Sequence, residues 1–93
     1  MQLTINDPVA VNGDVVFREI DGEAVLLDVG RGTYFGLDPV GTRVWQALVE
    51  HGCARPVVAV LLEEFDVAPE TIESDIIQLL GELSTNDLIR PRS

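Results

Sequence analysis

The sequence has no lysine, one cysteine, one histidine and no long apolar run, and each shortage removes a class of function. With Cys53 alone the chain forms no internal disulfide and no thiolate cage for a metal, and a reducing, cytoplasmic setting is expected. No apolar stretch approaches the roughly 18 residues of a membrane span, and no basic region followed by an apolar one stands near Met1. Neither a membrane segment nor a secretion signal is expected. Basic side chains are scarce: six arginines face sixteen acidic residues, for a net charge of −10. That field repels nucleic acid and anionic lipid. It either attracts a basic partner or serves solubility, and composition does not choose between them.

What is present is enough apolar material for one core. At 93 residues and 46% apolar, the chain reads as a single folded domain. A chain of this size buries roughly 60–65% of its unfolded surface. Residues 1–14 contain "NDP" and "NGD" and read as an N-terminal arm with turns, ahead of a domain at 15–90. "VVFREI" (15–20) and "EAVLLDV" (23–29) are strands joined by Asp21-Gly22, a strong hairpin signal, and the apolar run of the second suggests burial. "GRG" at 30–32 turns the chain into a third strand, "TYFGL" (33–37). Asp38 then caps a helix with Pro39 at its first position, Val40, Val44, Ala47 and Leu48 on one face, and Gly52 closing it. A second helix runs from about Pro56 to Phe65. A third starts near Pro69, carries Ile72, Ile76, Leu79, Leu80 and Leu83 as its apolar stripe, and stops at "TND" (85–87). "LIR" (88–90) is a short extended tail. The fold class is α+β: a three-stranded antiparallel sheet followed by three helices.

Catalytic constellations are missing. His51 and Cys53 lie together beside Gly52 at a helix end, without a partner acid. Glu63 and Glu64 are adjacent, so on a helix they point about 100° apart rather than converging. "GRGTYFG" lacks the spacing of a phosphate loop, and the helix after it is capped by an anionic Asp38. Trp45 reads as core. No catalytic residue, cofactor or metal is expected.

Two elements carry information about binding. On the third helix Ile77 widens the apolar arc beyond what packing on one side needs, with Asp75 and Glu82 on one flank and Glu73 on the other. Either that arc is a groove rimmed by carboxylates, or Ile77 packs on the second helix. The third strand carries none of the lysine, proline or charge that ordinarily blunts an exposed sheet edge. An unblunted edge beside an amphipathic helix suits strand addition by a peptide.

"EAVLLD…GRGTYFGLDPVGTRVW", "LLEEFDV" and "ESDIIQLLGELSTNDLI", in this order over residues 15 to 90, resemble the PqqD-like family. The "VLLD…G.Y..L…G" pattern is most similar to the stand-alone recognition proteins of lasso-peptide clusters. The resemblance implies a small winged-helix-like domain that binds the leader of a ribosomally made precursor between its third strand and third helix. It also implies delivery to a separate maturation enzyme, whether a leader peptidase, a cyclase or a radical enzyme. Carried over residue by residue, the peptide-binding set is Thr33, Tyr34, Phe35, Gly36 and Leu37 of the strand with Asp75, Ile76, Leu79, Leu80 and Leu83 of the helix. Asp38 stands where the lasso-type proteins commonly have asparagine, and either residue caps a helix.

The rival from another class is a winged-helix DNA-binding regulator. Such helices read DNA with arginine, lysine, asparagine or glutamine beside a phosphate-binding face. Residues 70–84 offer no basic side chain and four acidic ones, Glu70, Glu73, Asp75 and Glu82. Charge decides against that reading, and no nucleic-acid or membrane partner is expected.

Overall fold

The computed structural model describes residues 4–92. Its organising turn is Asp21-Gly22, whose φ angles of 55° and 82° give the two-residue hairpin expected of an Asp-Gly pair. The turn joins β2 (Val15–Ile20) to β3 (Glu23–Asp28) in the register Ile20↔Glu23 through Val15↔Asp28. A second turn is tied down by Asp28: its Oδ1 accepts the Arg31 N–H at 3.2 Å and its carbonyl accepts the Gly32 N–H at 2.8 Å. Gly32, at φ 72°, supplies the left-handed residue. β4 (Thr33–Leu37) then pairs with β3, and the sheet order is β2-β3-β4.

The period of two sends alternate side chains of β3 to opposite faces. Ala24, Leu26 and Asp28 are buried on the inner face, while Leu27 is 39% exposed on the outer one. The expected burial of this apolar run is met on one face only, and the strand ends at Asp28 rather than Val29. Helices cover only the inner face of the sheet.

α1 (Pro39–His51) begins as its sequence dictates: the Gly41 N–H donates to Asp38 Oδ1 at 2.6 Å, and Pro39 occupies the first turn. Gly52, at φ 71°, closes it by donating to the Leu48 carbonyl at 2.7 Å. Val44, Trp45, Ala47 and Leu48 are buried. α2 (Ala54–Glu64) starts two residues before Pro56, because a proline in the first turn removes an N–H that has no helical acceptor. Arg43 of α1 clasps it through Nε, which donates to both carboxylate oxygens of Glu64 at 2.8 and 3.0 Å. That hydrogen bond is the main cause holding the Arg43 guanidinium above its ordinary pKa. α3 (Pro69–Thr85) buries Ile72, Ile76, Leu80 and Leu83.

The arm and the tail meet. β1 (Val9–Val11) and β5 (Ile89–Pro91) form a two-stranded antiparallel sheet, with Val9 and Ile89 in the core. Flanking bonds extend the clasp: Asn12 N–H to the Leu88 carbonyl and Arg92 N–H to the Pro8 carbonyl, both at 2.9 Å. The chain is closed by its own ends, a pairing with no hairpin turn to signal it in sequence.

Candidate peptide-binding site

Among the described residues β4 pairs with β3 alone, so its other side is a free edge. Which groups it offers follows from the hairpin. In a two-residue hairpin the residues flanking the turn exchange hydrogen bonds, and bonded and non-bonded positions alternate from there. Glu23, Val25 and Leu27 therefore bond to β2, and Ala24, Leu26 and Asp28 to their partners Leu37, Phe35 and Thr33. The N–H and C=O groups of Tyr34 and Gly36 point off the open edge. Neither residue takes part in the hydrogen bonds outside the strand ladders.

A groove of about 490 Å³ runs beside this edge. One wall is Phe35, Gly36 and Leu37 of β4, continued by Asp38 and the first turns of α1 at Val40, Gly41 and Val44. The other wall is the α3 stripe Asp75, Gln78, Leu79 and Glu82, whose spacing of three and four residues places them on one helical face. Leu79 and Phe35 are half-buried and apolar, and Asp75 and Glu82 are exposed at the rim. The charged lining residues are Asp38, Asp75 and Glu82, all acidic. A polar backbone edge beside the apolar side chains Phe35, Val40, Val44 and Leu79 suits an extended peptide, whose backbone pairs with the edge while alternate side chains enter the groove.

The residues named from sequence fall into three groups. Phe35, Gly36, Leu37, Asp75 and Leu79 line the groove. Thr33 and Tyr34 lie on the same edge strand, but the Tyr34 side chain projects from the outer face of the sheet and is 77% exposed. Ile76, Leu80 and Leu83 are at most 1% exposed, inside the core beneath the α3 wall. Ile77 and Glu73 lie away from the groove, bordering a shallow depression with Glu70 and Ser74. The wide apolar arc of α3 thus serves two surfaces, not one. Val40, Gly41, Val44 and Gln78 were missed because nothing in the sequence places the start of α1 against α3. The position of Gln78, three residues after Asp75 and four before Glu82, was the available signal.

The remaining sequence candidates lie elsewhere. Cys53 Sγ donates to the Ile5 carbonyl at 3.4 Å, and His51 is exposed at the end of α1. Among the described residues no three His, Cys, Asp or Glu side chains converge as metal ligands, and no helix is long and apolar enough to cross a membrane. The outer face of the sheet is open: Ile20, Leu27, Val29 and Tyr34 account for most of the exposed large apolar side chains, and Arg18 and Glu23 share the face.

Two solved structures are similar in fold. TbiB1 in complex with the TbiA(beta) leader peptide is 36% identical, with a TM-score of 0.81, over 89% of this chain and 96% of that one. A lasso peptide synthetase B1 complexed with the leader peptide is 25% identical, with a TM-score of 0.79, over 90% of this chain and 99% of that one. No curated protein matches the sequence significantly. The family model for coenzyme PQQ synthesis protein D matches residues 23–89, from the first residue of β3 through α3 into β5, and so takes in both walls of the groove. By that match and by its 36% identity to TbiB1, the chain belongs to the PqqD family.

Proposed function

We propose that this protein binds the leader segment of a ribosomally made precursor peptide as an added strand on β4, and presents it to a separate maturation enzyme of the lasso-peptide type. The observation that carries the reading is the free edge of Tyr34 and Gly36 facing the Leu79 wall across an open groove. The leader-bound state of both solved relatives supports the same class of ligand. A leader is disordered when free, so it orders on docking. Tethering it beside the enzyme converts a bimolecular encounter into one governed by effective concentration. The protein needs no chemistry of its own for that role, and the maturation enzyme performs the reaction. The exposed Ile20, Leu27, Val29 and Tyr34 lie on the side of the sheet away from the groove floor, where an enzyme can sit without displacing the leader. We place the complex in the cytoplasm, where the lone Cys53 stays reduced.

The regulator reading has little to stand on. The exposed side chains of α3 include Glu70, Glu73, Asp75 and Glu82 and no cation to meet a phosphate. Titrating the isotope-labelled protein with a lasso-type leader peptide tests the proposal by NMR. Amide shifts should concentrate at Thr33–Leu37 and Asp75–Leu83. A cluster of shifts around His51 and Cys53 would refute the groove assignment.

A further inference from the structure

The groove is charged with one sign. Of its lining residues Asp38, Asp75 and Glu82 carry charge, and all three are carboxylates. Asp38 already accepts the capping N–H of Gly41. Asp75 and Glu82 have no partner: the ion pairs among the described residues are Arg31–Asp87 and Arg43–Glu64, and neither side chain takes part in a hydrogen bond. A further arginine, Arg55, is held at Asn6 Oδ1 at 2.6 Å. Two unpaired carboxylates therefore flank the half-buried Leu79 on the α3 wall of the groove.

Their spacing has a meaning for an extended occupant. Asp75 and Glu82 are seven positions apart on α3, about 10 Å along its axis, with Leu79 between them. In a strand, side chains on one face recur about every 6.7 Å, so residues two before and two after a central one stand about 13 Å apart. The mismatch of about 3 Å is well within the reach of a lysine or arginine side chain.

Building on the leader-binding reading, we propose that this groove selects leaders by charge: an apolar residue opposite Leu79, with lysine or arginine two residues to either side opposite Asp75 and Glu82. The acidic rim thus serves recognition rather than solubility alone. The backbone ladder along Tyr34 and Gly36 is blind to sequence, and the rim sets which register of a basic leader docks.

A randomised peptide-display library selected on the intact protein tests this. Bound sequences should be enriched in lysine or arginine two positions before and after an apolar residue, and the affinity of the selected peptides should fall as sodium chloride rises. Asp75→Asn and Glu82→Gln should each weaken those peptides roughly 2–5-fold, as for partly exposed ion pairs. Glu70→Gln and Glu73→Gln, on the other side of α3, should not. Asp75→Lys should shift the preference at one flank from basic to acidic. Peptides that perturb β4 and α3 amides but show neither basic enrichment nor sensitivity to Asp75→Asn and Glu82→Gln would overturn the charge reading and leave the groove standing. Selected peptides that bind away from β4, or a selection that yields none, would overturn the groove reading and this one with it.

Discussion

Replacing Gly36 with proline removes one backbone donor from the free edge of β4 and leaves the ladder to β3 intact. The register places Val25 opposite Gly36 at a non-bonded position, so the Gly36 N–H faces outward. Proline is tolerated on an edge strand when its missing N–H faces solvent. A Cβ at this position meets nothing within 4 Å, so the ring begins in open space. Gly36→Pro should therefore change folding stability by no more than about 1 kcal/mol in either direction. Binding is another matter. A leader carbonyl loses its donor, worth about 0.5–1.5 kcal/mol net and more if that oxygen stays dry, and the ring stands where the incoming strand must lie. The combined loss should be about 1–3 kcal/mol, or roughly 5- to 150-fold in Kd. Calorimetry with the leader peptide reads the affinity, and thermal unfolding checks the fold. Two controls bracket the result. Gly36→Ala keeps the N–H and should bind normally, whereas Phe35→Pro removes a donor to Leu26 and should lower the melting temperature. A folded Gly36→Pro protein with unchanged affinity would refute strand addition at β4 and leave side-chain contacts as the whole of the interaction.

Three other outcomes follow from the same geometry. N-methylation along the leader should weaken binding at alternate positions, those whose amides face Tyr34 and Gly36, and a calorimetric scan showing a period of three to four would instead mean a helical ligand. Leu80→Ala, at a fully buried position, should cost about 2–5 kcal/mol of stability, while its half-buried neighbour Leu79→Ala should cost much less and weaken leader binding more, as chemical denaturation and calorimetry would separate. Fluorescence anisotropy with duplex DNA at physiological salt should show no micromolar binding, since the exposed side of α3 offers phosphates no cation.

Much of this fold is written in local signals. Asp21-Gly22 dictates a tight hairpin, and Asp38, Pro39 and Gly52 mark the ends of α1, because caps and positive-φ turns depend on residues a few positions apart. The free edge was legible too, since "TYFGL" carries nothing to blunt it. Other features depend on distant partners. The β1–β5 sheet joins the two ends of the chain through three-residue strands, with no turn between them to announce the pairing. The burial of "EAVLLDV" depends on which face of the sheet meets helices, and its composition is the same whether one face or both are covered. The division of α3 is likewise tertiary. Ile76, Leu79 and Leu80 are one apolar stripe on a helical wheel, and only the approach of β4 and the first turns of α1 makes Leu79 a groove wall and leaves Ile76 and Leu80 in the core. Periodicity reports that a helix has an apolar side; which part of that side stays open is decided by what packs against it.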